Sequence, residues 1–105
     1  MELTKDADKM ICCIYKSYLQ RRKDGLSKAV SRRFEDSFFS SEEHLSTLVH
    51  EDITETRLEL GRSGLIKNYI GGDFMLTDSG IIYMESRFKN NLIAVTDFIS
   101  KLLPW

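Results

Sequence analysis

The segment from Leu60 to Gly80 constrains this chain more than any other. A glycine just past a run of helical periodicity ends a helix, and Gly64 stands at such a point. Leu65-Ile66-Lys67-Asn68-Tyr69-Ile70 is rich in strand formers, Gly71-Gly72-Asp73 reads as a tight turn, and Phe74-Met75-Leu76-Thr77 reads as the returning strand. Asp78 is then placed to cap a helix that starts at Ser79. A hairpin over residues 65–77 with helix on both sides predicts a mostly α fold carrying a small β-hairpin, an α+β arrangement.

Upstream, two N-terminal helix signatures follow closely. Ser40 with Glu43 forms a capping-box pattern ahead of Leu45, Leu48 and Val49, and Asp52 with Glu55 forms a second ahead of Ile53, Thr56 and Leu60. Two short helices joined by a short turn, over residues 41–63, predict a helix-turn-helix. Before them, Thr4 can cap a helix over 5–23, in which Ala7, Met10, Ile11, Ile14 and Tyr18 recur at three- and four-residue steps. Arg21, Arg22 and Lys23 suit the last turn of that helix, and Gly25 ends it. Leu26-Ser27-Lys28-Ala29-Val30 reads as a short strand or the start of a second helix. Val30, Phe34 and Phe38 at four-residue spacing favour helix from Ser31 onward, so a helix over 28–37 is expected.

A chain of 105 residues is one domain by size, read here as a single unit over 1–105. Hydrophobic residues at 42% and charged residues at 30% exclude a disordered chain. The net charge is −1, but its distribution is uneven. Residues 16–33 hold seven basic side chains against Asp24 alone, whereas residues 34–105 hold six basic and twelve acidic. Such asymmetry marks a candidate binding surface.

The run Leu60-Gly61-Arg62-Ser63-Gly64-Leu65-Ile66, followed by the hairpin and the Leu76-Thr77-Asp78-Ser79-Gly80 step into the next helix, resembles the winged helix-turn-helix pattern. It is similar to small bacterial, often phage-associated, winged-helix proteins, and to PadR-like regulators in carrying a dimerising helix after the wing. The resemblance covers about half of the chain. It implies a winged helix with a long C-terminal helix, and a DNA-binding protein of transcription regulation with duplex DNA as partner. In DNA-binding members the third helix enters the major groove. Thr54, Thr56, Arg57 and Arg62 on that helix, Lys67 and Asn68 on the wing, and Lys28, Arg32 and Arg33 in the basic segment are the candidate contacts. Against them, residues 51–64 carry Glu51, Asp52, Glu55 and Glu59, and a net acidic probe is repelled by phosphate. An alternative of another class is therefore open, a winged helix that binds a protein partner through the acidic third helix or the last helix. A small-molecule sensor is a third.

Ile81, Phe88, Val95 and Leu102 recur every seven residues, with Met84, Asn91 and Phe98 between them and Leu92 and Ile99 widening the stripe. One continuous helix over 79–103 is predicted. The residues beyond 88 need a cover, either the first helix or a second chain. A homodimer is the favoured reading, with Phe88, Leu92, Val95, Phe98, Ile99, Leu102 and Trp105 as its interface.

Chemistry is otherwise sparse. Cys12 and Cys13 are adjacent and poorly placed for a disulfide or a shared metal, and at least one reads as a small buried hydrophobe. His44 and His50, six apart, have no cysteine or third histidine at ligand spacing and read as surface or capping residues, so no metal is expected. No phosphate-binding glycine loop, nucleophile constellation or cofactor motif is visible, and no enzyme activity is expected. No stretch has the apolar length of a membrane span and the N-terminus carries no signal-peptide pattern, so the expected setting is the cytoplasm.

Overall fold

The computed structural model describes residues 1–102. Helix α1 spans Lys5–Lys23. Thr4 caps it by accepting a hydrogen bond from the Ala7 amide, and acids in its first turn and bases in its last complement the helix dipole. This helix is the axis of the molecule. From Ala7 to Tyr15 only Asp8 is not buried, because α1 is covered on several sides by α4 (His50–Arg62), α5 (Asp78–Phe88) and α6 (Leu92–Lys101).

Between α1 and α4 the chain departs from the expected helices. Helix α2 (Lys28–Ser31) is a single turn capped by Ser27, and the chain then extends as strand β1, Arg33–Phe34. The predicted helix over 28–37 is thus corrected. Phe34 and Phe38 share the apolar side through a strand and a turn, not through four-residue helical spacing. Helix α3 (Phe38–Ser41) is also one turn, and residues 43–47 form turns. The Ser40–Glu43 capping box does not form, since the Ser40 hydroxyl donates to the Ser37 carbonyl and Glu42 takes the amide of His44. The second box fails as well. Helix α4 begins at His50 with Val49 at its cap, and Asp52 lies inside it. The first arm of the expected helix-turn-helix is thus replaced by a chain of turns anchored by Phe39 and Leu45, both buried.

Strands β2 (Ile66–Asn68) and β3 (Phe74–Leu76) form the hairpin, with Gly71 and Gly72 at φ +101° and +103° in its turn, a region other residues rarely enter. Strand β1 adds to β3 on its far side, so the sheet is three-stranded and antiparallel in the order β1-β3-β2. The fold is mostly helical with this small sheet, an α+β architecture. Side chains of paired residues lie on one face. Phe34 and Phe74 pair on the inner face, where they stack at 5.0 Å between ring centres and join Phe38 and Phe39 in one aromatic cluster. Each such ring pair adds about 0.5–1.5 kcal/mol beyond burial.

The expected continuous helix over 79–103 is broken. Thr77, not Asp78, caps α5 by accepting from the Gly80 amide, and α5 stops at Phe88. Lys89 turns the chain at φ +55°, its carbonyl held by the Tyr15 hydroxyl, and Asn91 caps α6 by accepting from the Ala94 amide. Helix α6 then folds back along α1. Val95 and Ile99 are fully buried, while Leu92, Phe98 and Phe88 pack at the margin of the same core. Arg87 fixes the corner by pairing with Asp8 at 2.5 Å and lying over the Phe88 and Phe98 rings. Of the stripe assigned to a dimer seam, Val95 and Ile99 are covered within the chain and Phe88, Leu92 and Phe98 only in part, while Asn91 serves as the cap of α6. Leu102 is half-buried, and Trp105 lies outside the described residues. Among the described residues no helix is long and apolar enough to cross a membrane.

Candidate nucleic-acid interface

The nine candidate contacts separate into those the fold consumes and those it leaves outward. Arg57 is consumed most completely. Its guanidinium donates to Asn68 Oδ1 (3.1 Å), to Asp36 Oδ1 (2.8 Å) and to the Gly72 carbonyl (2.7 Å), and it lies over the rings of Phe39 and Phe74. Asn68 answers by donating to the Arg57 carbonyl at 3.0 Å. These two side chains join α4 to the hairpin and are not available to a ligand. Thr56 is buried and its hydroxyl donates to the Asp52 carbonyl.

Arg32 and Lys28 meet at Asp78. Arg32 donates to its carboxylate at 2.7 Å and to the Leu76 carbonyl at 2.9 Å, and Lys28 lies 3.4 Å from the same carboxylate oxygen. Those hydrogen bonds hold the Asp78 carboxyl below its ordinary range. The basic segment is therefore spent partly on the start of α5. Arg21 is spent too, since it donates to the Arg33 carbonyl (2.5 Å) and covers the Phe34 ring at 4.2 Å, which burial makes costly for its charge.

Arg33, Lys67, Thr54 and Arg62 face outward. Arg33 and Lys67 both pair with Met75 across the sheet, so the solvent face presents a row Arg33–Met75–Lys67. Tyr69 extends that row. Lys67 Nζ sits 5.3 Å from its ring centre, its hydroxyl points at the Met75 sulfur, and Ile70 beyond it is fully exposed at the hairpin tip. Two cations, an aromatic ring and an apolar tip on one edge suit phosphate pairing and contact with a sugar or base. Arg33 and Lys67 were legible as charges, but the alignment that joins them to Tyr69 and Met75 depends on β1 pairing with β3.

The outward face of α4 has the opposite character. Glu51, Asp52 and Glu55 are exposed with Thr54 and Leu58, and Arg62 at the far end is the exposed base. Glu59 is engaged, its carboxylate accepting from the Thr4 amide (2.9 Å) and hydroxyl (2.6 Å) and so fastening α4 to the start of α1.

One further cluster lies away from this face. Cys13 of α1 approaches Glu42 and His44 of the turn segment, with potential ligand atoms all within 4.8 Å of one another. His44 is not a surface residue: its Nδ1 lies 2.9 Å from the Glu42 carboxylate and its side chain is 16% exposed. Both cysteines are free and buried, and burial raises both thiols, Cys12 to about 12.

No protein-family model, curated protein or solved structure matches this chain.

Proposed function

We propose that this chain is a winged helix-turn-helix domain that binds duplex DNA through its wing and the solvent face of its sheet, as a DNA-binding component of transcription regulation. The order of elements supports the winged-helix reading: a long first helix, a short strand, an irregular arm, a second full helix, then a hairpin whose return strand pairs with the first strand. One observation carries the choice of surface. The row Arg33–Met75–Lys67, with Tyr69 beside it, is the outward positive surface of the wing region, whereas α4 turns three acids outward. Phosphate repulsion keeps the N-terminal half of α4 out of the groove, and Arg62 at its other end is near enough in sequence to the wing to join it.

The test is fluorescence anisotropy with a labelled duplex across a salt series. Neutralising two or three phosphates predicts a slope of log K against log salt of about −2 to −3. Arg33→Ala with Lys67→Ala removes about two units of that slope, while Glu51→Gln with Glu55→Gln tightens binding. Absence of binding to pooled duplex fragments at low salt rejects the proposal.

A second reading rests on Leu58, which is 51% exposed among the acids of α4. An acidic face with an apolar centre fits a basic protein partner. In that case Leu58→Ala abolishes capture of the partner and the wing variants leave it intact.

A further inference from the structure

We propose that Cys13, Glu42 and His44 form a binding site for one divalent transition-metal ion, zinc by donor chemistry, that fastens the turn segment after α3 to α1. The three donors come from two distant parts of the chain, the middle of α1 and the turns that replace the expected helix. Their ligand atoms lie within 4.8 Å of one another. Zinc bonds of about 2.0–2.3 Å to nitrogen, oxygen and sulfur hold tetrahedral ligand atoms roughly 3.3–3.7 Å apart. Small side-chain rotations bring the three onto one ion.

The donor set decides the metal class. A thiolate and an imidazole exclude magnesium and calcium, which take oxygen ligands, and suit zinc or cobalt. On binding, the Cys13 thiol gives its proton to solvent, and thiolate, carboxylate and neutral imidazole then balance the two positive charges. The site is closed on the protein side, where Cys13 is 1% exposed, and open at its rim, where Glu42 and His44 side chains are 15% and 16% exposed. A water completes the tetrahedron at that rim, beside the exposed Glu43, whose carboxylate lies 3.8 Å from His44 Nε2. Burial and the Glu42 carboxylate push the Cys13 thiol up, and Lys9 and Lys16 on α1 oppose this in part. The consequence is mechanical: the turns at 43–47, which lack regular helical bonding, gain a covalent-strength tie to the central helix shortly before α4 begins.

Cobalt(II) titration of the full, reduced chain tests this directly. The expected result is a thiolate-to-cobalt charge-transfer band with tetrahedral visible bands, saturating at one equivalent and bleached by zinc. Cys13→Ser removes the charge-transfer band, Cys12→Ser retains it, and His44→Ala weakens cobalt affinity by roughly 100-fold or more, beyond the effect of losing an outer partner. Zinc also raises the melting temperature of the parent chain and not that of His44→Ala. If Cys13→Ser does not fold by circular dichroism, the His44→Ala comparison decides alone. A folded parent chain without the band, a band that survives in Cys13→Ser, or His44→Ala binding with parental affinity overturns the proposal.

Discussion

Arg57 illustrates how one side chain can look like a ligand contact and act as a joint. In sequence it is a cation on the helix before a hairpin, the position where the resemblance to winged helices implies a base-reading arginine. In the structure its side chain is 13% exposed, and three acceptors and two rings surround it. Hydrogen bonds to a charged group are worth about 1.5–3 kcal/mol each where solvent is excluded, but Asp36 is largely exposed and its share is screened. Arg57→Ala is therefore expected to destabilise by about 2 kcal/mol, a fall in melting temperature of roughly 8–16 °C for a domain of this size. Arg57→Lys restores little, because one ammonium cannot span three acceptors placed for a guanidinium fork. Urea unfolding of the three proteins checks this, and an Arg57→Ala midpoint equal to that of the parent chain removes the joint.

At the scale of elements, the close approach of α5 to the hairpin turns on Gly80. A Cβ at this position would meet the Leu65 carbonyl oxygen and the Leu76 side chain. Alanine is favoured over glycine within a helix by about 1 kcal/mol, so propensity alone predicts that Gly80→Ala stabilises. The obstacle is backbone and cannot rotate away, and forcing atoms into packed space costs about 1–3 kcal/mol. The clash wins, and Gly80→Ala lowers the thermal midpoint of the protein while raising the helicity of an isolated α5 peptide. A raised midpoint in the protein would show that the helix shifts freely. Elements marked by local chemistry were legible in this way from sequence: Thr4 and Lys23 bound α1, Gly64 follows α4, and Gly71-Gly72 turns the hairpin. Elements fixed by distant partners were not. Strand β1 has two residues and exists because Met75 and Phe74 lie beside it, and the Ser40–Glu43 pattern lost to a Glu42–His44 contact. Cys13 and His44 meet only because the turn segment folds onto α1, a proximity that no ligand spacing along the chain records.

At the scale of the whole molecule, the question is what covers the apolar stripe of residues 88–102. Seven-residue recurrence is equally compatible with a seam between chains and with a helix laid on its own core, because both bury one face. The break at Lys89 and Asn91 favours the second for Val95 and Ile99, since it reverses α6 onto α1 and gives Tyr15 a carbonyl to hold. Val95→Asp separates the two arrangements. At a dimer seam it yields a folded single chain, and the parent's melting temperature rises with concentration. In the observed packing Val95 is fully buried, and a carboxylate there loses its hydration without a partner. The expected cost is about 4 kcal/mol or more, a large part of the roughly 5–15 kcal/mol that holds a domain together. Val95→Asp is thus expected to unfold the chain or drop its midpoint steeply at every concentration, while the parent scatters light as one 12.2 kDa chain with a concentration-independent midpoint. A parent mass of two chains together with a well-folded Val95→Asp monomer would return the stripe to the interface and leave α1 without the cover that α6 gives it.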